Sequence, residues 1–453
     1  TMLICVATYV ALAGNGLPRA IVVLGTLLLG ATILWSLDVF SYHAVAVALP
    51  VMAVLLAGSQ PDKAFSGFSS PSWFLVLGVF AITAAIAKTG LMYRLVLLFV
   101  KRFPPHYGSQ TFALALSGLV LTPVIPSSNG RAALAGPLAI TLCETLRFRQ
   151  GSPGAIGIAM TCLLGFGHMS FLFMNGTATC LLALGLLPAE VSGSITWTSW
   201  FMDALPLGLV YFLATYGGIV TLYRPKHQVT SHSQVISAQL RALGPMTRQE
   251  SFSLVTVIVS LIGFATQSLH HINGAWVAML SFLMLFAGKV LDEKAVRNDI
   301  DWNFLISFGA LVGFGTLISG SGLTAITADQ LRPYLLSISG SPYIFLPVVS
   351  IATHLIRFAL PLPAALLVGI LSIVPISATI GIHPFVIALV LLASSNPWLV
   401  PYQNSIYLNM LESTEGRVFD HRQVRKLAAL HIAAVLIAIL AAIPFWQFRG
   451  LIH

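Results

Sequence analysis

Side chains able to hold a ligand are scarce in this chain, and they sit in a few short breaks between long apolar runs. The first break is Pro126-Ser127-Ser128-Asn129-Gly130, with Arg131 directly after it. The second is Pro361-Leu362-Pro363, preceded by His354 and Arg357. Two further polar pieces, Asn175-Gly176-Thr177 and Gln403-Asn404-Ser405, follow these breaks. Hydroxyls, an amide and unpaired backbone N–H groups at a helix start suit an anion. The oxygens of Ser127, Ser128 and Asn129, with backbone carbonyls, could also ligate a small cation such as Na⁺. A cation at membrane depth is expensive and usually functional, so Arg131 and Arg357 would face an anion. Snorkelling that merely orients a helix is the alternative for both, and Ser-Asn-Gly is also a common turn. His168, on an apolar helix, reads as a hydrogen-bonded packing residue. Trp197, Trp200, Trp398 and Tyr402 fit the aromatic belts of a membrane interface.

Only a bilayer can position these breaks. Hydrophobic residues make up 57% of the 453 and charged residues 8%, against about a quarter charged in a soluble domain. The polar punctuation is too sparse for the alternating strands of an outer-membrane barrel. The net charge of +9 reads as positive-inside bias rather than a nucleic-acid surface. No basic leader precedes the first apolar run, so a cleaved signal peptide is not expected. Cys5, Cys143, Cys162 and Cys180 lie in or beside apolar runs without CxxC spacing. No metal cluster, organic cofactor or nucleophile–base–acid set is expected, which argues against an enzyme. Carboxylates are nearly absent from the spans, which argues against a cation as cargo.

Several apolar runs are near 15 residues, short of the roughly 20 a bilayer needs. The shortest pair up around the two breaks, at 109–147 and 344–380, and read as re-entrant hairpins. Non-helical backbone at that depth exists where it lines a cavity. The polar stretch 224–250 divides the chain into membrane halves 1–223 and 251–453. Weak repetition supports the division: Trp73-Phe74-Leu75 to Gly90-Leu91 is echoed by Trp302-Asn303-Phe304 to Gly322-Leu323. Suppose the first hairpin opens to the cytoplasm. Lys101, Arg102, Arg147, Arg149, Arg224, Lys226, Lys289, Lys294, Arg297, Arg417, Arg422, Arg425 and Lys426 then all fall inside, while Arg19, Lys63 and Arg332 fall outside. The expected fold is all-α and polytopic in an inner membrane. It has about eleven transmembrane helices plus two oppositely facing hairpins, an inverted-repeat transporter.

These residues carry a resemblance to the divalent anion:sodium symporter family, carriers of dicarboxylates, citrate and sulfate. Phe65 to Pro71 and the run to Leu91 look like its first-half signature, and Asp301-Trp302 to Leu323 like the counterpart. Ser127-Ser128-Asn129-Gly130 stands where a Ser-Asn-Thr hairpin tip belongs, Asn175-Gly176-Thr177 resembles the break after the next helix, and Trp200 to Pro206 and Pro401 to Ser405 resemble further family motifs. The resemblance implies a homodimer and elevator-type carriage of a small anion held between the tips, with Na⁺ at each. Candidate ligands are then Ser127, Ser128, Asn129, Gly130, Arg131, Asn175, Gly176, Thr177, Arg357, Pro361, Pro363, Asn404 and Ser405. The chain departs from the pattern at both tips: Gly130 replaces Thr, and Leu360-Pro361-Leu362-Pro363 replaces Ser-Asn-Thr. At most one Na⁺ at the first tip is expected and none at the second, with arginine charge standing in. Proton-coupled or uncoupled carriage, and a non-transporting sensor or scaffold of the same fold, remain alternatives.

Overall fold

The computed structural model describes residues 16–104, 106–125, 127–225, 233–326, 329–330, 340–377 and 380–453. The apolar run at 2–14 with Cys5, and also Pro126, Lys226, Arg332 and the side chain of Asn129, lie outside the described residues. Among the described residues the regular structure is helical. Seven helices are long and apolar enough to cross a membrane, and several shorter apolar helices accompany them.

The helices fall into two packed groups. The first holds α1 (Arg19–Ser36), α2 (Tyr42–Ala57) and α3 (Pro71–Thr89) from the first half of the chain. Ser70 starts α3 by accepting the Trp73 N–H, Pro71 opens its first turn, and Gly90 in the left-handed region ends it. A short amphipathic helix, α4 (Leu91–Val100), follows. The second group begins with the helix pair α5 (Tyr107–Leu121) and α6 (Ser128–Thr145), then α7 (Pro153–Cys162), α8 (Ala178–Leu186) and α9 (Trp197–Leu222). After a connecting helix α10 (Ser233–Ala242), α11 (Arg248–Ala265), α12 (Gly274–Ala287) and α13 (Trp302–Ser321) rejoin the first group. The second group is completed by the pair α14 (Pro342–Ile356) and α15 (Leu362–Ser377), with α16 (Pro384–Ser394), α17 (Ser405–Ser413) and α18 (His421–Phe448).

Helix α3 packs on α12 and α2 on α13, while α9 packs along α18. Within the second group the contacts follow a crossed pattern. Each hairpin's first arm lies on the broken helix of its own half, α5 on the turn after α7 and α14 on α16. Each second arm packs on its own half as well, on α7 or α16, and also reaches the far piece from the other half, α6 touching α17 and α15 touching α8.

Both broken helices unwind where the sequence gives cause. After α7 the chain passes through a π turn (Leu163–Gly167) and a 3₁₀ turn (His168–Leu172) before α8. Here α5 approaches so closely that a Cβ on Gly165 would lie 2.3 Å from the Ala115 carbonyl oxygen. Helix α16 stops at Ser394, although the apolar run reads on to 400; Pro397 disfavours helix at Asn396. The aromatic-belt reading fails for two residues. Trp200 and Trp398 are fully buried, and Trp200 Nε1 donates to Phe171 O at 3.0 Å. Exposed apolar side chains do appear at helical spacing on α11, at Val255, Ile258, Val259 and Ile262.

Candidate functional site

A cavity of about 240 Å³ lies where the first turns of four helices converge. Ser127 and Ser128 come from the start of α6, Thr177 to Thr179 from α8, Leu362 and Pro363 from α15, and Ser405 and Ile406 from α17. Each helix presents orphan N–H groups and the positive end of its dipole at that point. Ser127 caps α6 by accepting the Gly130 N–H at 3.1 Å. Thr177 precedes α8 without a side-chain cap bond, and its Oγ1 lies 3.3 Å from Ser128 Oγ. The two hydroxyls thus meet across the elements. Ser170, Asn396, Phe80, Thr83 and Phe304 complete the wall, and exposed Asp299 and Asp301 stand at the rim.

A second cavity of about 630 Å³ shares Leu362, Pro363, Asn396 and Ser405, and adds Arg357, Pro361, Tyr402 and Gln403. The tip of the second hairpin therefore borders both spaces. It offers them hydrocarbon and proline, where the first tip offers hydroxyls.

Of the two arginines expected to face a ligand, Arg357 borders the larger cavity and Arg131 borders neither. Arg131 is fully buried and is not among the residues lining either cavity. Its Nε donates to Phe166 O at 2.8 Å, Nη1 to Gly176 O at 3.0 Å and to Ile125 O, and Nη2 to Ser170 Oγ at 2.7 Å. It ties the end of the first tip to both sides of the break between α7 and α8. Arg357 does the same in the second half. Its Nε donates to Ser395 O at 2.8 Å, Nη1 to Leu360 O and Nη2 to Gln403 O. Both guanidinia answer carbonyls stripped of helical partners, which in a membrane interior must be satisfied by protein.

The remaining expected ligands divide. Ser127, Ser128, Thr177, Pro363 and Ser405 line the smaller cavity, and Pro361 only the larger. Asn175 braces the wall instead: its Nδ2 donates to Pro123 O at 2.9 Å and its Oδ1 accepts Trp197 Nε1 at 2.9 Å. Gly176 is a close-approach residue, since a Cβ there would sit 2.1 Å from Ser170 O. Gly130 serves through its N–H to Ser127. Asn404 is buried and caps α17, its Oδ1 accepting the N–H groups of Ile406 and Tyr407 at 2.9 and 3.1 Å. Thr179, Ser170 and Asn396 were missed by the sequence reading. Thr179 could have been found from its place one turn-start beyond Thr177, and Asn396 from the polar Ser394-Ser395-Asn396 inside an apolar run. Among the described residues no group of three His, Cys, Asp or Glu has metal-binding geometry.

Helices long enough to span, broken helices paired with hairpins and a polar cavity at their meeting point define a multi-pass membrane carrier. The family comparison agrees. Residues 1–452 match the model of the sodium:sulfate symporter transmembrane region, and the chain belongs to that family of divalent anion:sodium symporters. It is a multi-pass secondary active anion transporter. It is 24% identical over 400 residues to the inner membrane protein YbhI of Escherichia coli K12, covering 85% of this chain and 83% of that one. It is 26% identical over 310 residues to the L-tartrate/succinate antiporter of Escherichia coli UTI89, covering 65% of this chain and 61% of that one. The fold also resembles a Neisseria gonorrhoeae structure, MtrF, described as illuminating a class of antimetabolite efflux pumps. That likeness has a TM-score of 0.57 at 13% identity, covering 95% of this chain and 96% of that one.

Proposed function

We propose that this carrier moves a dicarboxylate, citrate or sulfate anion held at the meeting of the four helix starts, and that it does so without Na⁺. The observation that carries the reading is the cavity itself. Helix N-termini and hydroxyls form its inner wall, with the exposed Asp299 and Asp301 at the rim facing water and no cationic side chain among the lining residues. An anion there accepts backbone and hydroxyl hydrogen bonds and is favoured by four helix dipoles.

Sodium independence follows from what the arginines occupy. A Na⁺ between tip and break would draw on the carbonyls that Arg131 and Arg357 already engage. Ser127 and Ser128 then serve the anion rather than a metal. The antiporter among the relatives supports exchange as the mode.

In the same reading α5–α6 and α14–α15 are re-entrant hairpins of opposite direction, in a fold of eleven spans. The crossed packing of the hairpin arms supports the inverted repeat. The second helix group moves as the elevator car, while the first stays in the membrane and holds a homodimer. The contact between Lys88 and Asp292 fits the proposed topology, which puts both on the cytoplasmic side.

The test is counterflow by purified protein in liposomes, with succinate, malate, citrate and sulfate as probes, in Na⁺ and in choline. Exchange with at least one anion, changing by less than about twofold between the two media, is expected. A requirement for any Na⁺ in the exchange would refute sodium independence. Folded protein with no counterflow would favour a sensor of the same fold.

A further inference from the structure

Three of the twelve histidines meet inside the second helix group. His168 comes from the break after α7, His354 from the last turn of α14 and His431 from the middle of α18. The ring centres of His168 and His431 are 4.9 Å apart, and those of His354 and His431 are 6.4 Å apart. All three side chains are buried. A packing histidine normally has both ring nitrogens answered. Here the Nε2 atoms of His354 and His431 have no hydrogen-bond partner, and neither does Nε1 of Trp398, whose ring lies 6.1 Å from His168 and 6.5 Å from His431.

The surrounding bonds set the protonation. His354 Nδ1 lies 2.7 Å from Ser350 O. A carbonyl only accepts, so Nδ1 carries the hydrogen and Nε2 of the neutral ring is a bare lone pair. Asn404 has its Oδ1 committed to two backbone N–H groups. Its Nδ2 is therefore the end that donates to His168 Nε2, at 3.2 Å, and to Asn396 O, at 3.0 Å. His168 thus has no free lone pair, while His354 does. His431 Nδ1 pairs with the Tyr211 hydroxyl at 2.8 Å, leaving its Nε2 toward the cluster.

We propose that His354 and His431 form a proton-binding site that couples anion movement to a proton. One N–H bond forms at a free Nε2, with the proton taken from water on one side of the membrane and returned to water on the other. A second proton is resisted by the first at this separation. The helix dipole favours the charge on His354, which stands at the C-terminal end of α14. The groups facing the pair are few. Helix α9 brings Tyr211, and the turn after α7 brings His168. Helices α15 and α16 bring no titratable side chain. Arg357, one turn past His354, is spent on carbonyls. Among the described residues no carboxylate pairs with the three rings. The positive charge gained on protonation is therefore left for the transported anion to balance. The second hairpin links the two places: His354 ends its first arm, and Pro363 in its second arm lines the anion cavity. By linkage, anion binding strengthens proton binding and protonation strengthens anion binding by the same factor.

The inference rests on the carrier reading above, and one preparation tests both. Liposomes carry a pH-sensitive dye inside, at about pH 7.5, and face about pH 6 outside, the range over which imidazole titrates. The probe is whichever of succinate, malate, citrate or sulfate shows counterflow. Proton entry should accompany anion entry in the unmodified protein. His354→Asn and His431→Asn each keep the Nδ1-side hydrogen bond and remove the Nε2 atom. Each should lower proton entry per anion at least about tenfold, while anion exchange, which needs no proton release, continues. Counterflow without proton entry in the unmodified protein would overturn the proton site and leave the carrier reading standing. Proton entry persisting in both variants would overturn it too, since the anion would then carry its own proton. No counterflow with any probe would sink both readings together. Should either variant fail to fold, the proton flux of the unmodified protein still decides.

Discussion

The two hairpin tips solve one problem with different chemistry. Each ends helices in the protein interior and leaves carbonyls without partners. Each answers them with a buried arginine, Arg131 or Arg357. Beyond that they diverge. The first tip turns Ser127 and Ser128 into the cavity beside Thr177, whereas the second turns Leu362 and Pro363. The common part serves the backbone and the divergent part serves the ligand. Cationic side chains at a membrane-embedded break are therefore weak guides to an anion site when loose carbonyls are nearby.

The largest expected effect separates the arginines. Arg131 is fully buried and engages Phe166, Gly176, Ile125 and Ser170. Arg131→Met leaves these acceptors unpaired, at about 1–3 kcal/mol each, and should yield no folded protein on detergent extraction. Arg357 borders the larger cavity, so Arg357→Gln, which keeps two of the donors, should fold with a lowered Tm. Its anion exchange should fall at least about tenfold. Normal transport by this variant would show that the second tip does not depend on its fixed charge and would break the parallel.

A smaller effect tests the divergent part. Ser128→Ala and Thr177→Val each remove one hydroxyl from the cavity wall, a loss of about 1 kcal/mol or roughly fivefold in apparent affinity. Pro363→Ala should change affinity by less than about twofold, because the ring offers no hydrogen bond. Competition of unlabelled anion against labelled uptake reads both. A larger effect at Pro363 than at Ser128 would reverse the assignment of the tips.

How much of this was legible in the sequence varied with the physics. The bilayer origin followed from composition alone, and the helix breaks at 126–130 and 361–363 from the short runs around them. The cavity hydroxyls at Ser127, Ser128, Thr177 and Ser405 were legible because polar side chains at an apolar break have few other uses. The bonds of the arginines were not legible because their partners are backbone carbonyls, and no side-chain pattern announces an open carbonyl. The histidine cluster was illegible for a related reason. His168, His354 and His431 are separated by whole helices, and only the packing of the turn after α7 with α14 and α18 brings them together. Trp398 looked interfacial because the run around it reads as one helix, whereas the chain unwinds there and buries the ring.

The smallest effect lies outside both tips and serves as their control. Lys88 Nζ stands 2.9 Å from Asp292 Oδ2, joining the end of α3 to the loop after α12, with side-chain exposures of 32% and 61%. The hydrogen bond from Lys88, and then that from the Ala295 N–H, hold the Asp292 carboxyl below its ordinary range. The sign follows from linkage: a depressed carboxyl stabilises the fold above its unfolded pKa and loses that contribution as pH falls through its folded value. Any contribution is therefore complete near neutrality and disappears only in acid, below about pH 4. Exposure lets water and salt screen the pair, so Asp292→Asn should move Tm by no more than about 2 °C near neutral pH. The difference from the unmodified protein should vanish in acid and shrink in high salt. A shift as large as that of Arg357→Gln would mean that the contact between the two halves, and not the tips, limits the stability of the molecule. The losses predicted for the arginines would then need to be measured again with that contact intact and removed.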